Sequence, residues 1–142
     1  MLKYYFAALW IPVALLLTGC GSDTNIAPFT GEVRYKGKPL AFGSVMLQPV
    51  EGGQPSNAVI QSDGTFVMSI RDVGEGATIG LNRVRVTCFP AQNTKKTGNA
   101  SQELALGKSL IPTKYNSFGS SGLSVEVKPE NNEPYVIELD NK

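Results

Sequence analysis

A serine set between glycines is the arrangement most suggestive of a nucleophile, and Gly119-Ser120-Ser121-Gly122 supplies one. A serine hydroxyl attacks when a neighbouring base takes its proton, and the sequence contains no histidine to act as that base. The Gly-x-Ser-x-Gly spacing of a nucleophile elbow is missing as well. The lack of histidine also closes Ser–His–Asp and Cys–His mechanisms and the usual histidine-based zinc sites. Carboxylate or lysine chemistry stays formally open. Gly74-Glu75-Gly76-Ala77-Thr78-Ile79-Gly80 has the glycine content of a phosphate loop. Such a loop opens a helix after a strand, whereas this segment runs on into a strand pattern, so it is read as a turn. Asp63-Gly64 begins like part of a calcium loop, but Thr65 and Val67 follow where further acidic or amide ligands are needed. It is read as a hairpin turn. No catalytic residue, metal site or cofactor is expected, and the chain is not expected to be an enzyme.

Binding chemistry has more to work with. Lys95, Lys96, Lys108 and Lys114 place four positive charges within positions 90–122. They are available to an anionic polymer or to lipid headgroups, or are simply solvated. Tyr115, with Phe118 beside it, is the one candidate for an exposed aromatic platform of the kind that stacks on sugars. Tyr115, Lys95, Lys96 and Lys114 are therefore the candidate ligand contacts.

These groups must be held by strands. Phe29, Gly31, Val33 and Tyr35 alternate with Thr30, Glu32, Arg34 and Lys36, the period-two pattern of a half-buried strand. Lys36-Gly37 turns the chain, and Pro39 limits the return to an edge or a short piece. Gly43 to Val50 reads as a strand with Val45 and Leu47 inward. Asn57 to Gln61 and Thr65 to Ile70 flank Ser62-Asp63-Gly64 as a hairpin, with Phe66, Met68 and Ile70 on one face. Asn82 to Phe89 places Val84, Val86 and Cys88 on one face. Leu123 to Val127 and Tyr135 to Leu139 complete the set. About seven strands without a long helix predict an all-β fold, an antiparallel two-sheet sandwich. Pro90 to Gly122 interrupts the rhythm as a long loop, read as a decorated crossover on the sandwich edge, with one helical turn expected at Ser101 to Leu106.

The N-terminal segment has a different character. Met1 to Tyr5 carries Lys3, Phe6 to Leu17 is apolar apart from the interruption at Pro12, and Thr18-Gly19 is a small-residue step before Cys20. A basic start, a short apolar core and small residues at the end make a secretory signal, and the run is too short to span a bilayer. Leu17-Thr18-Gly19-Cys20 resembles a bacterial lipobox. The resemblance implies cleavage between Gly19 and Cys20, a thioether-linked diacylglycerol on Cys20 and an acyl chain on the new N-terminus. Two or more acyl chains hold a protein stably at a membrane. Residues 1–19 are then the signal peptide, 20–28 a lipidated tether and 29–142 the β-sandwich domain. Fully extended, Gly21 to Pro28 reach about 28 Å at most.

Cleavage removes Lys3 and Trp10, leaving 12 basic against 12 acidic residues and no tryptophan. A net charge of zero argues against a nucleic-acid partner. With Cys20 lipidated, Cys88 has no intrachain partner and is read as a buried thiol.

Gly31-Glu32-Val33, Gly37-Lys38-Pro39-Leu40, Val45 and Ser62-Asp63-Gly64-Thr65-Phe66 together resemble the carboxypeptidase-regulatory-like domain, a transthyretin-like or Ig-like sandwich. Gln61-Ser62 departs from that pattern, which usually has Thr before the Asp-Gly turn. Ile111-Pro112-Thr113-Lys114-Tyr115, Ser121 to Val127 and Asn131-Asn132 extend the likeness to small bacterial lipoproteins that carry this domain. The family's domain sits beside a peptidase without being one, so the resemblance implies no protease. The expectation is an envelope lipoprotein whose sandwich is a non-catalytic interaction or structural module. It would face the periplasm or the cell surface, and its partners would be the membrane, through lipid, and an envelope protein or cell-wall polymer. A carbohydrate-binding module using the 90–122 loop is the alternative.

Overall fold

The computed structural model describes residues 25–90 and 107–141. The period-two segments become strands: β1 (Ile26–Ala27), β2 (Thr30–Tyr35), β3 (Lys38–Pro39), β4 (Ser44–Pro49), β5 (Ser56–Val59), β6 (Thr65–Val67), β7 (Ser69–Ile70), β8 (Gly74–Glu75), β9 (Ala77–Thr78), β10 (Gly80–Thr87), β11 (Leu123–Val127) and β12 (Tyr135–Leu139). A 3-10 turn, Thr113–Asn116, precedes β11. The larger sheet runs β11-β10-β4-β5-β7-β8 and is antiparallel throughout. In the smaller sheet β2 pairs with β12 along one edge, while β3 and β6 share the other. The expected sandwich is therefore the architecture found. Among the described residues one pair is parallel, β2 with β12, which brings together strands about a hundred positions apart in the sequence.

Alternation explains the core. Val45, Leu47, Val84, Val86, Val125 and Val127 from the larger sheet meet Val33, Phe66, Ile137 and Leu139 from the smaller in one buried cluster. Every second residue of a strand faces inward, so these valines and leucines fill the gap while their neighbours meet water. Cys88 continues the inward row of Val84 and Val86 and is fully buried as a free thiol.

Thr65 to Ile70 departs from the single strand expected of it. The Asp63-Gly64 turn forms as read: Asp63 Oδ1 accepts hydrogen bonds from the Thr65 amide at 3.0 Å and the Thr65 hydroxyl at 2.6 Å, and Gly64 takes φ +87°. Beyond the turn, however, β6 pairs with β2 in the smaller sheet, and β7 pairs with β5 in the larger. The chain changes sheets at Met68. Phe66, Met68 and Ile70 all stay buried, so the side-chain alternation runs straight through a point where the hydrogen-bonding partner switches. The Gly74–Gly80 segment is also more than a turn, since it contributes β8 and β9.

Strand pairing begins before residue 28. β1 pairs with β9, Ile26 opposite Thr78 and Ala27 opposite Ala77, and Ala27 is buried. Pairing with β9 thus already starts at Ile26, inside the segment read as a tether. The second half of the long loop is structured crossover: Leu110 N–H donates to Cys88 O at 2.9 Å, Ile111 and Tyr115 are buried, and Ser121 Oγ donates to Val84 O.

Strand directions give the sandwich two distinct ends. Thr30, Pro49, Ser56, Gly80, Val127 and Tyr135 lie towards one end, where Asn25 O accepts from the Ile79 amide at 2.9 Å. The Lys36-Gly37 and Asp63-Gly64 turns, Thr87 and Leu139 lie at the other, from which the crossover leaves β10. Eight residues of β10 separate the ends by about 23 Å.

Candidate functional site

Cys20, Gly19, Lys95 and Lys96 lie outside the described residues, as does the helical turn expected at Ser101 to Leu106. Asn25, five positions after Cys20, is at the end of the sandwich opposite the crossover. Five residues span at most about 18 Å, so a membrane anchor at Cys20 would hold that end near the bilayer.

Tyr115 does not form the exposed platform expected of it. Its relative exposure is 4%. The ring sits in the core on the 3-10 turn, and its hydroxyl accepts a hydrogen bond from the Asp140 amide at 3.1 Å. The hydroxyl's own proton is shared between Asp140 O at 3.3 Å and Asp140 Oδ1 at 3.4 Å. Lys114 Nζ stands 4.8 Å from the centre of that ring and 3.7 Å from Asp140 Oδ1. Lys114 and Tyr115 thus fasten the crossover to the residue after β12. The physical reason for the correction is local. Ile111 stands just before Pro112 and Tyr115 four residues on within the 3-10 turn, and both side chains are buried in the core cluster.

Aromatic surface is found instead at the N-terminal end. A cleft of about 370 Å³ opens between β11 and β12, with Phe29 and Tyr135 on its floor and Glu126, Lys128, Asn131, Asn132 and Glu133 around it. The two rings are tilted at 43° with centroids 6.1 Å apart. Tyr135 is half-buried, and its hydroxyl reaches across to Ser124 O at 3.3 Å. Asn132 closes the loop below. Its Nδ2 donates to Lys128 O at 2.7 Å and Pro28 O at 3.3 Å, and its Oδ1 accepts from the Lys128 amide at 2.9 Å. The cleft offers hydrogen-bonding groups of both signs beside one part-exposed ring. Sequence reasoning missed it because its residues come from three separate segments.

Among the described residues, no three His, Cys, Asp or Glu side chains are grouped to hold a metal ion. The electrostatics of the remaining groups are structural. Asp63 titrates below the ordinary aspartate range because the Thr65 hydroxyl, and then its amide, hydrogen-bond the carboxylate. Glu32 is lowered by its hydrogen bond from Arg34, which faces it through a 2.8 Å ion pair. Burial pushes the Cys88 thiol up, away from the thiolate that reactive chemistry requires. Ser121 spends its hydroxyl on Val84 O, and its oxygen also accepts from the Leu123 amide at 3.2 Å, which is the role of a strand lead-in.

Compared with known proteins, the chain matches no family model, no curated protein and no solved structure.

Proposed function

We propose that this chain is a lipid-anchored protein of the bacterial envelope, its sandwich a non-catalytic interaction or structural module of the carboxypeptidase-regulatory-like kind. The lipobox-like Leu17-Thr18-Gly19-Cys20 carries the proposal. What supports it in the fold is the entry point of the chain: the short stretch after Cys20 leads into β1 at one end of the sandwich, and the crossover sits at the other. Lipid on Cys20 would therefore present the crossover and the two tight turns away from the membrane, where a protein or cell-wall partner can reach them. The carbohydrate alternative relied on Tyr115 as a stacking ring, and the burial of that ring takes away its main support.

Mass spectrometry of the protein extracted from membranes tests this directly. The expected species begins at Cys20 and is heavier than the peptide by a diacylglycerol and an acyl chain. Cys20→Ser should lack the increase and leave the membrane fraction. An unmodified Cys20 in membrane-extracted protein overturns the anchor.

A further inference from the structure

A sheet edge can add a strand from another chain, and proteins guard their edges with short strands, prolines and side chains that occupy the ladder. Among the described residues, β1, β3, β8 and β9 have two residues each, β6 has three, and β3 contains Pro39. β11 is longer but guarded. The Asn132 side-chain amide takes both main-chain groups of Lys128, and the Tyr135 hydroxyl donates to Ser124 O. β12 is the corresponding edge of the smaller sheet, with five residues and no proline. Its charged residue, Glu138, directs its carboxylate to the Gly37 amide at 2.8 Å, over the turn after β2 and away from the open side.

The hydrogen bonds of β2 show which groups of β12 are open. Val33 donates its amide to Gly64 O and accepts from the Leu40 amide, so its main chain turns away from β12. The alternate residues of β2 bond β12 instead, and the Lys36 amide donates to Leu139 O at 3.0 Å. Bonding direction alternates along a strand, so Tyr135, Ile137 and Leu139 spend their main-chain groups on β2. Those of Val136 and Glu138 point outwards. Asp140 continues the outward series, and its amide donates to the Tyr115 hydroxyl, which bounds the open stretch at one end. Pro134 bounds it at the other, having no amide proton. The Val136 side chain is 47% exposed. Beside Tyr135, on the inward side of this edge, the cleft of about 370 Å³ opens.

We infer that β12 binds an extended peptide segment of a partner protein, which joins the smaller sheet as an added strand. Two amides and two carbonyls repeating at about 7 Å match the main chain of another strand. Residues facing Val136 and Glu138 stand on the outer face. The residue facing Tyr135 enters the cleft beside its ring, where an apolar or aromatic side chain fits. A second copy of this chain fits less well. Self-pairing about a two-fold axis at Ile137 sets Val136 of one copy against Glu138 of the other and runs the two strands in opposite directions. The entry ends then lie at opposite ends, about 23 Å apart along β10, beyond the about 18 Å between Asn25 and Cys20, so both copies cannot be anchored in one bilayer. This choice of occupant rests on the proposed anchor, and the inference gives the proposed protein partner its mode of contact.

The test uses the full-length chain in neutral detergent and a displayed library of random short peptides, selected for the parent and against Val136→Pro. That substitution removes an amide that the β2 ladder does not use. Selected peptides, once synthesised, should bind the parent at least about tenfold tighter than the variant. N-methylating one alternate set of peptide amides should abolish binding, and methylating the other set should leave it intact. By hydrogen exchange the Val136 and Glu138 amides should be unprotected in the free chain and protected with peptide, while Ile137 is protected in both. If Val136→Pro melts lower than the parent, methylation and exchange decide. Selection of no peptide, or equal effects of the two methylated sets, overturns the inference. So does protection of Val136 and Glu138 without peptide: at every dilution it means that the chain covers its own edge, and only at high concentration that a second copy does. The mass of the same preparation reports the lipid separately. An unlipidated chain that binds refutes the anchor and keeps the edge, and a lipidated chain that selects no peptide refutes the edge alone.

Discussion

The Tyr115 hydroxyl and Asp140 are joined through the Asp140 amide, carbonyl and carboxylate. Tyr115→Phe keeps the ring in the core and removes these hydrogen bonds. It leaves the Asp140 amide without its acceptor in a part-buried place, which costs about 1–2 kcal/mol. The expected outcome is a lower urea midpoint with an unchanged slope, since the surface exposed on unfolding stays the same. An unchanged midpoint would show that water replaces the hydroxyl at no cost. Burial of this ring was not legible from its own position, because a tyrosine among Lys114, Asn116 and Ser117 looks exposed. Its spacing of four from Ile111 was the available hint, and only the packing of the crossover against β10 and Asp140 gives that spacing meaning. Val84, Val86 and Cys88 were legible, because three apolar residues at period two on one strand have a single face to share.

At the scale of elements, Gly31 is the tightest point of the smaller sheet. It lies in β2 between β12 and β6, opposite Tyr135 on one side and Phe66 on the other. A Cβ at this position would run into the Tyr135 carbonyl and the Phe66 ring. The carbonyl is fixed by the parallel pairing and the ring by the core, so neither can give way cheaply. Gly31→Ala is expected to destabilise the domain by about 1–3 kcal/mol, read as a fall in the thermal midpoint. Gly37→Ala makes the contrast, since open space surrounds that position and any cost there comes from its φ of +75° alone. The long strands were readable because six to eight residues of alternation leave little ambiguity. The break at Met68 was not, because burial alternates through it unchanged and only the hydrogen-bond partner differs. β1 and β9 were missed for a related reason: two residues are too few to show a period. The parallel pairing of β2 with β12 depends on where residues about a hundred positions apart come to lie, which no local pattern records.

The sandwich as a whole has a polarity. The chain enters beside Ile79 at one end, and the crossover, the Lys36-Gly37 turn and Asp140 gather at the other, about 23 Å away along β10. Under the proposed anchor this polarity becomes an orientation. Val50 and Leu81 lie together at the entry end, since the Val50 amide donates to Leu81 O at 2.9 Å, and both side chains are exposed. Trp10 is the only tryptophan and belongs to the segment that cleavage would remove, so a single introduced indole reports its own surroundings. In the lipidated protein reconstituted into vesicles of brominated lipid, Val50→Trp should be quenched strongly and Lys36→Trp hardly at all. The tether decides the outcome. At most about 18 Å of chain separates Cys20 from Asn25, less than the about 23 Å between the two ends of the sandwich, so the entry end cannot be held outermost with the opposite end resting on the bilayer. Stronger quenching at position 36 than at position 50 would mean that the sandwich lies inverted on its anchor, with the crossover against the bilayer and unavailable to a partner.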